Sequence, residues 1–211
     1  MEQVIIFEGG SGDVIRQSEH KKKFISRLRN SPIAIETKLA NEQHYEVPTD
    51  FFLHVLGPKL KYSCCYWPEG CQSLEESEKH FFDLLFSRCK IVDGMTILDL
   101  GCGWGTTSME ILRRFPNCKV VAVSNSNTQR VHIADSGRIE GFSDRLTAIT
   151  CDANAFEPPA ALKFDRVISV EMFEHMKNYQ ELMRRISTWL KKDGFLFVHI
   201  LCHYRYAYPF V

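Results

Sequence analysis

The 211-residue chain contains no apolar run of about 18 residues, the length that a membrane-crossing helix requires. Its N-terminus also lacks the secretory pattern of basic residues, apolar stretch and small-residue cleavage site. The expected location is therefore cytoplasmic. An excess of either charge is missing too: 26 Lys and Arg balance 26 Asp and Glu, for a formal net charge of +0. A nucleic-acid surface announces itself as a basic excess, so no nucleic-acid partner is expected. Lys21-Lys22-Lys23 is a short basic run, which reads as a solvated helix face. The eight cysteines, at positions 64, 65, 71, 89, 102, 118, 151 and 202, include no C-x-x-C pair. In a chain long enough to bury its own core they read as reduced thiols rather than as staples. His199, Cys202 and His203 have no second ligand pair at zinc spacing, so no metal is expected.

What the chain does contain is a regular alternation after Gly94. Apolar runs at 95–100, 119–123, 145–150, 165–170 and 194–201 read as strands, and helical patterns occupy 104–115, 127–140 and 177–191. Strands alternating with helices imply an α/β fold, with a doubly wound, mainly parallel sheet and right-handed crossovers. Residues 1 to about 18, with Gly9-Gly10-Ser11-Gly12, read as a loose leader. A short helical arm is expected over 22–29 and an irregular cap rich in proline and aromatics over 41–66. Ser73 followed by Glu76 is a capping start for a further helix with Phe81, Leu84, Leu85 and Ile91 on its inner side. The expected division is a leader and cap over 1–72 and a core over 73–211.

The first strand runs into Asp99-Leu100-Gly101-Cys102-Gly103-Trp104-Gly105. Alternating glycines allow a tight turn and close approach of a ligand to the backbone. A helix starting near Trp104 would direct its N-terminal amides at that ligand. A dinucleotide fingerprint would need its third glycine where Thr106 stands, and a carboxylate after the next strand, which instead ends in Ser124-Asn125-Ser126-Asn127. No Gly-Lys-Ser/Thr follows, which excludes a P-loop. The form D-x-G-x-G-x-G resembles motif I of class I methyltransferases that use S-adenosylmethionine; another nucleotide site or a plain tight turn are the alternatives. Asp99, Gly101, Gly103 and Gly105 are thereby cofactor candidates. So are Ser124 and Asn125 at the second strand end, Gln129 on the next helical turn, and Asp152 and Ala153 past the third strand. Asp152 would accept from an adenine amino group, or would simply close an Asx turn.

The fourth strand ends in Glu171-Met172-Phe173-Glu174-His175. Carboxyl ends of strands line the ligand crevice of an open α/β sheet. If the chain curls helically there, Glu171, Glu174 and His175 share a face and form a candidate proton-handling group. Two surface acids beside a packed histidine are the plainer reading.

Three strings together are more specific: His44-Tyr45-Glu46-Val47-Pro48-Thr49-Asp50-Phe51-Phe52, Leu60-Lys61-Tyr62-Ser63-Cys64-Cys65-Tyr66-Trp67-Pro68, and Glu171 through Tyr179. With the glycine motif they resemble the family of coclaurine N-methyltransferases and cyclopropane fatty-acid synthases, over residues 30–205. The resemblance implies a Rossmann-like methyltransferase fold, S-adenosylmethionine as cofactor, and Gln129 in place of the usual ribose carboxylate. Tyr62 and Ser63 in the cap would close over the methionine end of that cofactor, a contact that spacing alone does not show. In the synthase branch an unsaturated phospholipid acyl chain is the acceptor, with bicarbonate near Cys64, Glu174 and His199. In the N-methyltransferase branch a small amine is the acceptor, and Glu171, Glu174 and His175 match its acids and base. The strings around Cys64 and His175 are closer to the latter. Members of the family carry a further C-terminal part with a lid and two more strands, so a truncated chain, even an inactive cofactor-binding fragment, is a third expectation.

Overall fold

A computed structural model of the chain describes residues 13–35 and 48–203. Eleven regular elements are used below: α1 (Val14–Arg29), α2 (Thr49–Val55), α3 (Leu74–Cys89), β1 (Thr96–Leu100), α4 (Thr106–Arg114), β2 (Lys119–Ser124), α5 (Asn127–Ile139), β3 (Leu146–Thr150), β4 (Phe164–Val170), α6 (Tyr179–Trp189) and β5 (Leu190–His199). The five strands form one sheet in the order β3-β2-β1-β4-β5. Every pairing is parallel. The order reverses direction between β1 and β4, which opens a crevice at their carboxyl ends.

Alternate residues of each strand point to opposite faces, and the core divides accordingly. Ile97, Val120 and Ile168 pack with Phe81, Phe82 and Leu85 of α3 and Ile111 of α4. Leu98, Val121 and Val167 pack with Leu182, Ile186 and Trp189 of α6, and with Ile33 and Ala34. The central strands β1, β2 and β4 are thus covered on both faces, and this is why they read as largely apolar runs; the edge strands β3 and β5 are only partly buried.

Local capping chemistry sets several boundaries. The Ser73 hydroxyl accepts from the Glu76 amide at 3.1 Å and starts α3. Asp13 caps α1 by accepting from the amides of Ile15 and Arg16, so the first described helix begins at Val14. The expectation of a leader reaching residue 18 is corrected for 13–18; the Gly9–Gly12 stretch lies outside the described residues. In the expected irregular cap, Thr49–Val55 is helical, while 41–47 lie outside the described residues. The helix after the glycine turn starts at Thr106 rather than at Trp104, because Gly105 is its N-cap with φ 80°. Helix α6 stops at Trp189, and β5 begins there; pairing passes from Phe164↔Leu190 to Arg166↔Phe195, so 191–194 bulge out of register. Among the described residues no helix is long and apolar enough to cross a membrane.

Candidate active site

A cavity of about 330 Å³ opens above the carboxyl ends of β1, β2 and β4. Its floor is the glycine turn. Gly101, Gly103 and Gly105 all hold positive φ, at 80°, 53° and 80°, a region that costs other residues about 1–2 kcal/mol. Each glycine answers a different need. A Cβ on Gly101 would stand 2.6 Å from the Cβ of Met172, and one on Gly105 would stand 2.6 Å from Cγ1 of Ile133, whereas nothing lies within 4 Å of one on Gly103. Gly101 and Gly103 line the cavity and Gly105 does not; its role is to let α4 and α5 approach. Two amides, of Gly101 and Cys102, share the Val123 carbonyl and tie the turn to β2. Asp99 is 2% exposed and accepts from the Ser108 hydroxyl at 2.6 Å. Burial pushes its carboxyl up to about 6, against the opposing pull of Ser108.

At the end of β2 the Ser124 hydroxyl donates to Oε1 of Gln129 at 2.6 Å. The Gln129 amide is 1% exposed, and its Nε2 is buried with no hydrogen-bond partner. Ser126 caps α5 by accepting from the Gln129 amide, so the residue is fixed from both ends. Ser124, Asn125, Gln129 and Ala153 line the cavity. Asp152 does not: its Oδ1 accepts from the backbone and side-chain nitrogens of Asn154 at 2.7 and 2.8 Å, the Asx-turn arrangement. Asn154 in turn holds Ala34 by a donor and an acceptor, at 2.9 and 3.1 Å.

Glu171, Glu174 and His175 reach one cavity wall, but not by sharing a helical face. Glu171 has φ 51° and precedes a short 3-10 turn, Phe173–His175; the sharp reversal is what brings the three together. The Glu171 amide donates to the His199 carbonyl at 2.7 Å, and its Oε1 accepts from the Cys64 amide at 2.9 Å. Glu174 is buried; Oε1 accepts from the Leu201 amide at 3.0 Å, while Oε2 has no partner. His175 is exposed at the rim. Cys64 and His199 are not among the lining residues; Cys64 is exposed, and Nδ1 of His199 is buried and unpartnered.

The cap contributes Tyr62 and Ser63, as the sequence led us to expect, together with Lys61. Thr106 donates to the Leu60 carbonyl at 2.8 Å and docks this segment on α4. Tyr62 packs edge-on to Phe52, which leans on Trp104 at 5.1 Å between ring centroids. Sequence reasoning missed Lys61, Ala34 and Ile35 as wall residues. The lysine directly precedes Tyr62-Ser63, a signal that was there to be read; Ala34 and Ile35 carry none.

Residues 34–208 match the sequence profile of the family described as mycolic acid cyclopropane synthetase. The chain belongs to that family. Its similarity to (S)-coclaurine N-methyltransferase of Thalictrum flavum subsp. glaucum is 39% identity over 183 residues, covering 87% of this chain and 50% of the relative. It is 29% identical to the cyclopropane-fatty-acyl-phospholipid synthase of Escherichia coli K12, over 83% of this chain and 44% of that one. The crystal structure of a coclaurine N-methyltransferase bound to N-methylheliamine and SAH superposes with a TM-score of 0.85 at 35% identity, covering 94% of this chain and 56% of the other. The Rossmann-like fold and the family expected from the motifs are both borne out. The chain spans about half the length of the curated relatives it matches.

Proposed function

We propose that this chain carries the cofactor site and acceptor wall of an S-adenosylmethionine-dependent methyltransferase acting on the nitrogen of a small amine. The observation that carries the reading is the pairing, in one cavity, of an orphaned Gln129 Nε2 near the glycine turn with a buried, unpartnered Glu174 Oε2 on the wall. A buried donor without a partner costs about 1–3 kcal/mol, and a ribose hydroxyl would satisfy it. Gly103, with open space where a Cβ would stand, suits close approach of a nucleoside thioether. The residues therefore fit the cofactor: Gln129 and Ser124 for the ribose, the glycine turn with Asn125 and Ala153 for the nucleoside, Tyr62 and Ser63 for the amino-acid end. When bound, S-adenosylmethionine supplies an electrophilic methyl group on sulfonium.

The chain's own residues then have an acid–base task. An aliphatic amine has a pKa of about 10, like a lysine, and is mostly protonated at neutral pH. Glu171 and Glu174 hold the ammonium in the cavity, and His175 at the rim accepts its proton and passes it to solvent. Two carboxylates on the wall favour a cation over an apolar acyl chain, which would leave them unpaired. Similarity to relatives named N-methyltransferases supports the same choice. In this reading residues 1–72 cap a core of 73–211, and the protein works in the cytoplasm, where its eight unbridged cysteines would be kept reduced.

Titration calorimetry of the chain with S-adenosylmethionine and its demethylated product tests the cofactor. Binding in the micromolar range is the expected result, and no binding by a folded chain would refute the reading. Methyl transfer to a benzylisoquinoline amine, with none to unsaturated phospholipid vesicles, is the expected acceptor result; the reverse would assign the lipid branch.

A further inference from the structure

Lys61 lines the cavity wall yet is only 7% exposed, and the chemistry proposed above does not use it. Its ammonium donates to the Ser63 hydroxyl oxygen and to the Cys64 carbonyl, and lies 3.6 Å from the centroid of the Phe81 ring. Behind it on α3, the Glu78 carboxyl is 0% exposed and faces the backbone amides of Lys59 and Lys61. The Lys59 and Lys61 charges face that carboxyl. Ahead of Lys61 stand Glu171 and the thiols of Cys64 and Cys65. Burial holds the ammonium below the usual lysine range and the Glu78 carboxyl above the usual glutamate range. A charge so placed is expensive to bury, and Glu78 and Glu171 offset part of that expense.

The hydrogen-bond direction matters most. An ammonium only donates, so at Ser63 the oxygen must accept, and the single O–H is left to donate elsewhere. A hydroxyl polarised by a cation is also the stronger donor. Ser63 lines the cavity, where the carboxylates of Glu171 and Glu174 would repel an anionic ligand. Among the described lining residues, Lys61 and His175 are the only basic side chains.

We propose that Lys61 is a positioning residue for the carboxylate at the amino-acid end of the cofactor: it holds Ser63 as an outward hydrogen-bond donor and offsets the negative wall. Lys61 acts through Ser63 and need not touch the ligand. The inference rests on the assignment of Tyr62 and Ser63 to that end of the cofactor.

The test compares two probes by calorimetry on the whole chain. S-adenosylhomocysteine carries the carboxylate; methylthioadenosine keeps the nucleoside and thioether but lacks the amino-acid end. Lys61→Met is expected to weaken S-adenosylhomocysteine about tenfold, the worth of a hydrogen bond to a charged group, and to leave methylthioadenosine within about twofold. Added to Ser63→Ala, it should cost almost nothing more. Equal losses for both probes, or none, would overturn the proposal, since a merely structural lysine would act on both alike. If Ser63→Ala weakens S-adenosylhomocysteine while Lys61→Met does not, this inference fails alone. If Ser63→Ala leaves both probes unchanged, the assignment of Ser63 falls and the inference with it. Wild-type chain that binds neither probe would refute the cofactor reading itself. Should Lys61→Met fail to fold, because Glu78 is left buried without its cation, Lys61→Met with Glu78→Gln removes both charges and carries the same comparison.

Discussion

Ser124 and Gln129, five positions apart, form a closed unit in which the serine hydroxyl donates to Oε1 of the amide at 2.6 Å. The consequence is directional. With Oε1 occupied, Nε2 is the end left buried and unpartnered beside the cavity. A serine in a strand terminus thereby decides what the next helix offers to a ligand.

Replacing Gln129 by leucine keeps the volume and removes the donor. Loss of one hydrogen bond is worth about 0.5–1.5 kcal/mol, so S-adenosylhomocysteine should bind roughly three- to tenfold more weakly by calorimetry. Folding stability should change little, since the unpartnered Nε2 disappears while the buried Ser124 hydroxyl loses the oxygen to which it donates. Unchanged affinity would remove Gln129 from the site.

The three glycines of the turn should separate by mechanism. Gly103→Ala meets only the positive-φ penalty of about 1–2 kcal/mol, yet it sets a methyl group in the cavity. Gly101→Ala and Gly105→Ala add collisions with Met172 and Ile133 and should lower the melting temperature further. Gly103→Ala is therefore expected to lose the most affinity for the least stability, and Gly105→Ala the reverse.

Asp99 gives a pH signature. Its folded-state carboxyl is raised to about 6 from the ordinary 3.8 by burial, so between those values the folded chain binds more protons than the unfolded one. Stability contributed by this group is greatest below about pH 4, falls as pH rises to about 6 and is level beyond. At 1.36 kcal/mol per unit the span is about 3 kcal/mol. Urea unfolding of wild type and Asp99→Asn across this range should show the variant gaining relative stability up to pH 6. Parallel curves would contradict the assignment.

The acceptor wall is checked by kinetics. His175→Ala should lower kcat by about 10²–10⁴, the usual worth of a general base, and Glu174→Gln should lower it as well by removing a charge that holds the ammonium. Cofactor affinity should change much less. Turnover unchanged in both variants would discard the proton-handling group.

Most of the sheet was legible beforehand, because its central strands β1, β2 and β4 are buried on both faces and read as apolar runs between turn signals. For Asp152 two readings were open at the sequence level, and the structure shows its Oδ1 closing an Asx turn with Asn154. The Glu171–His175 segment was placed correctly at the strand end, but its geometry was not foreseen. A left-handed glutamate and a single 3-10 turn leave no periodic trace.

What the sequence determined on its own was local. The cap at Ser73, the glycine turn after β1 and the alternation of strand and helix all depend on sterics and hydrogen bonds among residues a few positions apart. The tertiary structure decided everything that needs burial. Leu201 reaches Glu174, Asn154 holds Ala34, and Lys61 lies on Phe81 with Glu78 behind it. Those partners are far apart in the chain, and desolvation, which sets the charge and donor direction of each group, arises only once the fold has brought them together.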